Sequence, residues 1–451
     1  MRPKQQFSDL GLFDAKVPRY TSYPTAPHFN TGINDGFLQG CLAQIHENTQ
    51  ISLYVHIPFC RRLCWFCACR TQGTQTAAPV AAYVETLMQE LRLLQKHLPS
   101  GVTLSRLHWG GGTPTLLSPD MITSLTDSIF DVAPMAENGE FSVEIDPNEV
   151  DAARLDALAK AGMNRASIGV QDFDPGIQET IGRLQSYEIT KQAVDMIRAR
   201  GVASLNADIL FGLPDQSPQK ITESVQKLLS LSPDRVALYG YAHVPWMAKR
   251  QQLIPSDALP TPEERLDLFE TAAKLFKWDG YVAIGIDHFA LPEDGLAIAA
   301  KDRTLRRNFQ GYTDDQADVL IGVGASSISR FPQGYAQNAP ATAAYVKAIE
   351  EDRFSVSRGH AFRDDDKLNA RLIEAVMCDF AVDSKEICDG FDITAEVLKQ
   401  RFNTVNKQFD GLMQVSDEGL VIPEDVRPLT RLIARAFDAY DQTKARHSAA
   451  I

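Results

Sequence analysis

The sequence predicts an α/β fold: a complete or partial β/α barrel with an N-terminal arm and a small, mainly helical C-terminal domain. Three observations carry that expectation. Between about residues 51 and 290, short β-rich runs alternate with amphipathic stretches, the pattern of parallel strands joined by helical crossovers. The unusual polar residues fall where those strands end, which is where a β/α barrel builds its reactive face. After about residue 300 the alternation stops, and short helices followed by a hairpin replace it. The expected divisions are an arm over 1–50, the barrel over 51–335 and the C-terminal domain over 336–451.

The strand candidates, in order, are ISLYVHI, LSRLHWG, FSVEIDP, RASIGVQD, NADILFGLP, RVALYGYAH and YVAIGID. Helical signals separate them. Ser118 followed by Pro119 is an N-cap with proline at the first helical position. Asp151 opens DAARLDALAKAG, which Gly162 can close in the left-handed conformation. The first strand ends in the cysteine-rich run HIPFCRRLCWFCACR (56–70), and the second in GGGTPT (110–115). The third ends at Glu144 and Asp146, the fourth at Gln171 and Asp172. Asp208 precedes FGLP on the fifth, the sixth runs into GYAHVP, and the seventh into GIDHF.

Beyond the barrel, RRNFQGYTDDQADVLIGVGASSISR reads as loop-rich and glycine-punctuated. From about residue 361, helices precede LMQVSDEGLVIPE, a hairpin with Gly419 near its turn, and a last helix starts near 427. Helices with a hairpin wing resemble a winged-helix module. That shape often binds DNA, but the charge argues otherwise. With 45 Lys and Arg against 58 Asp and Glu, the net charge is −13, and no Lys/Arg-rich run concentrates positive potential. A nucleic-acid role is not expected, and a packing or lid role is. No apolar run approaches the roughly 18 residues needed to span a bilayer, and the N-terminus lacks a signal-peptide core. A cytoplasmic location and no membrane partner are the expectation.

Seven cysteines in so long a chain are not a secreted disulfide scaffold. Cys41, Cys378 and Cys388 are scattered and read as small buried hydrophobes. Cys60, Cys64, Cys67 and Cys69 are crowded into ten residues, which in a reducing compartment points to metal binding or redox work. Structural zinc prefers two separated ligand pairs, and no second pair exists; His56, four residues before Cys60, reads as a strand residue pointing into the barrel. An iron–sulfur cluster fits better, because one short loop can wrap its larger core. Whether three or four cysteines serve is open from spacing alone.

Cys60, Cys64 and Cys67, with Phe66 before the third, resemble the signature loop of radical S-adenosylmethionine (SAM) enzymes. GGGTPT one strand later strengthens the match. The segments PRYTSYPTA (18–26), LYVHIPFC, LHWGGGTPT, GVQDF, FGLP, YAH and NFQGYT are similar to the oxygen-independent coproporphyrinogen III oxidase family, over about residues 17–330. A related branch that inserts or traffics heme shares the barrel, but typically lacks the fourth cysteine and the PRYTSYPTA arm. Both are present here. Ala68 stands where family members often have glycine, a departure that removes no ligand.

The resemblance implies a radical SAM type of barrel and a division of roles. Cys60, Cys64 and Cys67 would hold a 4Fe-4S cluster, with SAM chelating the fourth iron and Cys69 left without an assigned role. One electron from the cluster would cleave SAM, and the resulting 5′-deoxyadenosyl radical would take hydrogen from the β-carbon of a propionate. Loss of CO2 and a further electron would leave a vinyl group. Two propionates of coproporphyrinogen III would react, giving protoporphyrinogen IX. Tyr54, Gly111, Glu144 and Ile328 match positions contacting the cluster-bound SAM. Phe66, Gly112, Thr113, Gln171, Arg183, Asp208 and Ala242 match positions around a second SAM molecule. A tetracarboxylate substrate needs local cations. Arg19 on the arm is the first candidate, with Arg306 and Arg307 behind it; Tyr20, Tyr23, Phe309 and Gln310 are further substrate candidates. The implied partners are coproporphyrinogen III and a low-potential one-electron donor such as flavodoxin or ferredoxin. The expected state is a monomer.

Overall fold

A mixed sheet organises the chain in a computed structural model that describes residues 4–440 and 448–451. Residues 1–3 of the expected arm and 441–447 of the expected C-terminal domain lie outside the described residues. In chain order the sheet uses β1 (Gln50–Ile57), β2 (Thr103–Gly111), β3 (Met135–Ile145), β4 (Arg165–Gln171), β5 (Ser204–Phe211) and β6 (Arg235–Gly240). These six are parallel neighbours. Helices cross between them, and the expected caps are in place. The Ser118 hydroxyl accepts from the Met121 N–H ahead of helix Pro119–Val132. Asp151 caps Ala152–Lys160 in the same way, and Gly162 turns the chain with φ +94°.

Strand alternation sorts the side chains into two populations. Leu53, Val55 and Ile57 on β1, Leu107 and Trp109 on β2, and Phe141, Val143 and Ile145 on β3 are buried in the main core. The alternate positions are Ser52, His108, Ser142, Glu144, Ser167, Asn206, Asp208 and Tyr239. They line one polar cavity of about 200 Å³ together with His288. A single small cavity touched by β1 through β6 requires the sheet to curl around it.

The sheet does not close into a complete barrel. Its strand order is linear, with antiparallel additions at both edges. YVAIGID, the expected seventh parallel strand, is instead the first arm of an antiparallel hairpin. Val282–Ile284 (β7) turns at Gly285 (φ +53°) and pairs antiparallel with His288–Ala290 (β8), which itself runs antiparallel to β6. Three residues between β7 and β8 allow a hairpin but not a crossover, which needs a dozen or more. Hairpin β9 (Arg306–Asn308) and β10 (Gly311–Thr313) follows. The seventh parallel strand is β11 (Leu320–Val323), beside β1, in the segment expected to be loop. Four residues punctuated by Gly322 and Gly324 are too short to announce a strand; pairing with β1 makes it one. β12 (Ile328–Phe331), β13 (Gly334–Asn338) and β14 (Val356–Ala361) extend that edge antiparallel.

The hairpin β9–β10 bridges the two sides of the open sheet. Gly311 lies against Tyr239 and His288, while Arg106 on β2 pairs with Asp314 at 3.1 Å and Ser105 donates to Asp315 at 3.2 Å. Beyond β14 come helices Asp364–Asp379, Ser384–Gly390 and Ala395–Gln408, then the expected hairpin, Gln414–Val415 with Gly419–Val421. A second core joins this region to the first residues of the arm. Phe7, Leu12, Val17, Tyr20 and Tyr23 are buried with Phe402, Leu420, Ile433 and Phe437. Each such side chain contributes roughly 1.5–3 kcal/mol when fully buried. Helix Asp35–Leu42, later in the arm, packs Leu38, Cys41 and Leu42 into the main core instead.

Candidate active site

The cysteine run leaves the C-terminal end of β1 as a loop closed on itself. Phe59–Cys60 and Gln72–Gly73 form a short parallel clasp, and the Thr74 N–H donates to the Cys60 carbonyl at 3.0 Å. Neighbouring strand ends hold the loop. The Trp65 N–H donates to Ile181 O at 2.9 Å, and the Trp65 ring occupies the space where a Cβ on Gly182 (φ +68°) would sit. The Gln251 amide donates to Phe66 O at 2.7 Å and to Ala242 O at 3.0 Å, joining the loop to the segment after β6.

Each of the three expected ligands has a polar partner that stabilises sulfur charge. Arg183 Nη1 is 3.6 Å from Cys64 Sγ, and Nη2 is 3.3 Å from Asp146. Burial pushes the Cys60 thiol up to about 11, opposed by a hydrogen bond with Thr113. The hydrogen bond with Cys69 outweighs burial at Cys67 and brings its thiol down to about 6, helped by the Cys69 N–H, 3.4 Å away, and by Arg250 and Arg183. Cys69 is exposed. Among the described residues, no three His, Cys, Asp or Glu side chains converge tightly enough for a single metal ion. Three thiols spread along one loop, each with a donor, fit a larger thiolate-held group.

Facing this loop, Glu144 on β3 accepts from the Gly111 N–H at 3.0 Å and sits 3.3 Å from His108 Nε2. Burial alone would raise its carboxyl pKa, but His108, the Gly111 N–H and His56 hold it below the ordinary range. Tyr54 stacks on His108, with ring centroids 5.7 Å apart, and its hydroxyl meets His56 Nδ1 at 3.0 Å. The other His56 nitrogen lies 3.2 Å from Arg70 O, so both ring nitrogens are engaged away from the thiols. Asp208, beside Asn206, is pushed up to about 6, chiefly by burial.

The three glycines of GGGTPT are required by packing. A Cβ on Gly110 would lie 2.6 Å from the Glu144 carboxylate, one on Gly111 2.3 Å from the His56 ring, and one on Gly112 2.5 Å from Phe59 O. Gly112 and Thr113 donate their backbone N–H groups to Ile57 O and Phe59 O, both at 2.8 Å. These glycines therefore weld the second strand end to the first. Gln171 closes β4 at φ +69°, a left-handed conformation unusual for a side-chain-bearing residue. Its neighbour Asp172 points elsewhere: it is fully buried, accepting from Ser224 at 2.7 Å and Gln216 at 2.8 Å. Ile328 opens β12, next to the strand beside β1.

The substrate candidates divide. Gln310 reaches the polar cavity from the tip of hairpin β9–β10, and Phe309 packs edge-on to Phe29 and Tyr335. Arg307 stacks over the Tyr312 ring at 4.3 Å and donates to Arg19 O at 3.3 Å. Arg306, on the same strand, borders a small crevice with Thr21 and Phe309. Arg19 donates to Gly240 O at 2.7 Å. Tyr20 and Tyr23 stiffen the arm: both are buried, Tyr20 donating to Asp438 and the Tyr23 hydroxyl accepting from the Ala439 N–H, each at 2.9 Å. Sequence reasoning missed Gln251 and His108. A lone glutamine in a loop carries no motif, whereas His108 could have been read from its alternation with Gly110 on the polar face.

A profile of the radical SAM superfamily matches residues 54–228. The chain is 62% identical over 451 residues, all of both chains, to the oxygen-independent coproporphyrinogen III oxidase of Paracoccus denitrificans. It is 41% identical to that of Bradyrhizobium diazoefficiens, with 97% of this chain and 98% of the relative covered. Among solved structures, coproporphyrinogen III oxidase from Escherichia coli, described as a radical SAM enzyme, superposes with a TM-score of 0.89. That pair shares 33% identity, over 95% of this chain and all of the other.

Proposed function

This chain belongs to the oxygen-independent coproporphyrinogen III oxidase family of the radical SAM superfamily, and from that premise we infer how its residues divide the work. It oxidatively decarboxylates two propionates of coproporphyrinogen III to vinyl groups, giving protoporphyrinogen IX in heme biosynthesis. A radical SAM enzyme implies a 4Fe-4S cluster and SAM, which when bound would supply the one-electron chemistry needed at the propionate.

We propose that Cys60, Cys64 and Cys67 ligate the cluster. The carrying observation is that each thiol has its own polar partner while lying on a single clasped loop beside Glu144. Arg183 offsets sulfur charge at Cys64, and Thr113 does so at Cys60. Glu144 is held ionised and offers a carboxylate to the SAM ammonium or ribose, with Tyr54, Gly111 and Ile328 around it. A second SAM would lie among Phe66, Gly112, Thr113, Gln171, Arg183, Asp208 and Ala242. Phe309 and Gln310 would meet the substrate. The donor would be a low-potential flavodoxin or ferredoxin, the enzyme a monomer, and unpaired cysteines suit a reducing cytoplasm. The C-terminal helices and hairpin follow a winged-helix order that suits packing against the arm.

The test is anaerobic reconstitution with iron and sulfide, then reduction with SAM and coproporphyrinogen III. Formation of protoporphyrinogen IX with SAM consumption is expected. SAM cleavage without porphyrinogen decarboxylation would overturn the reading.

A further inference from the structure

Arg265 sits in a seat that two sequence motifs leave for it. It lies on helix Pro262–Trp278, and its guanidinium packs over the Phe211 ring at 5.5 Å. The FGLP glycine, Gly212 (φ +79°), could not bear a side chain there, because a Cβ would stand 2.2 Å from Arg265 Nη1. A Cβ on Gly240, in the GYAH segment, would be 3.1 Å from Nη2. Nη1 and Nε donate to Gly212 O at 3.3 Å and Ile451 O at 3.1 Å. The guanidinium is thus held in place by the Gly212 carbonyl, the terminal oxygen of Ile451 and the Phe211 ring, with no side-chain acid involved.

Two further arginines converge on the same place. Arg19 donates to Gly240 O, and Arg431 to the carbonyls of Pro18, Ala449 and Ala450. None of the three bonds a side-chain carboxylate among the described residues; Arg265 alone reaches the terminal oxygen of Ile451. Burial, helped by the positive charge of Arg19, lowers Arg265 to about 10 and Arg431 to about 9. Asp287 supplies one countercharge, but its carboxylate is bonded by His288 at 2.7 Å. Of the acids on the same wall, Glu424 is paired with Lys277 at 2.8 Å. Clustered guanidiniums without side-chain acid partners recognise carboxylates well, and Arg265 already holds one such oxygen at Ile451.

All three border a cavity of about 730 Å³ whose apolar walls include Phe211, Trp246, Phe269, Ile286 and Phe289. That volume lies in the range of sites that enclose a whole organic ligand, unlike the 200 Å³ polar cavity. The two cavities share His288. The larger one also reaches Ala242, which Gln251 joins to Phe66 on the cysteine loop. We propose that this cavity between helix Pro262–Trp278 and the C-terminal region seats the porphyrinogen macrocycle, with Arg19 and Arg265 as propionate anchors and Arg431 behind them. The proposal rests on the oxidase reading for its choice of tetracarboxylate.

The experiment is fluorescence titration of reconstituted holoenzyme with coproporphyrin III, in wild type, Arg265→Gln and Arg265→Lys. It is paired with SAM affinity and with KM and kcat for coproporphyrinogen III. Arg265→Gln should weaken coproporphyrin binding and raise KM at least tenfold while kcat falls less than threefold, and Arg265→Lys should recover most of the binding. Unchanged coproporphyrin affinity in Arg265→Gln, with the fold intact by circular dichroism, overturns the proposal. So does a loss of SAM affinity with coproporphyrin binding intact, since the anchored carboxylate would then be that of SAM. Wild-type enzyme that binds coproporphyrin through Arg265 but never decarboxylates the porphyrinogen overturns the oxidase reading and supports the cavity.

Discussion

The side-chain amide of Gln251 donates to the Phe66 carbonyl at 2.7 Å, binding the cysteine loop to a segment 185 residues away in sequence. The same nitrogen bonds Ala242 O, and the oxygen accepts from the Val244 N–H at 2.5 Å. Gln251 is completely buried, so nothing replaces these bonds when they are lost. Gln251→Leu should cost roughly 2–3 kcal/mol, at about 1 kcal/mol per bond. Urea unfolding measures that loss. A faster decay of cluster absorbance in air should accompany it, because the loop loses its tie.

The thiols should separate three to one. Cys60→Ser, Cys64→Ser and Cys67→Ser should each lose iron–sulfur absorbance and bound iron after reconstitution. Cys69→Ser should retain both, since Cys69 is exposed and serves Cys67 as a hydrogen-bond partner. Equal iron loss in Cys69→Ser would mean that four thiolates, not three, hold the cluster.

Gly111→Ala should fail through packing before it fails through chemistry. Its backbone is left-handed (φ +106°) and a Cβ would overlap the His56 ring. Backbone strain and overpacking together should cost at least about 2 kcal/mol. A lowered urea midpoint in the protein without cofactors would separate this from a direct effect on SAM. An unchanged midpoint would show that the strand junction can yield.

Asp208 predicts a pH dependence of stability. Burial raises its carboxyl to about 6 in the folded protein, against about 4 unfolded. The folded state therefore holds the proton more tightly, and stability falls as pH rises between those values. Asp208→Asn removes a penalty of roughly 2–3 kcal/mol that wild type carries above pH 6. Without cofactors, the variant should gain stability over wild type at pH 7.5 but not at pH near 4. Parallel stability–pH curves for the two proteins would contradict this.

Much of the fold was legible because its signals are local. Six strands alternate apolar and polar residues, so the buried face and the polar cavity follow from period two. Ser118 and Asp151 cap the helices expected of them. The reading broke at the sheet edges. YVAIGID is apolar enough for a parallel strand, yet Gly285 folds it back. Leu320–Val323 is too short to announce itself, yet it pairs with β1.

The sequence by itself determined which thiols cluster, which strand ends carry acids, and the family. Spacing and composition survive without coordinates, because a loop of fixed length can only bring its own residues together. Only the tertiary structure decided what each strand-end residue faces. Glu144 turns to Gly111, Asp172 turns away to Ser224, and Arg183 reaches Cys64. It also decided that Arg19, Arg265 and Arg431 meet around one cavity, though more than 400 residues separate the first from the last. Such meetings depend on how the arm, one barrel helix and the C-terminal core bury one another's apolar faces, and no local pattern encodes that.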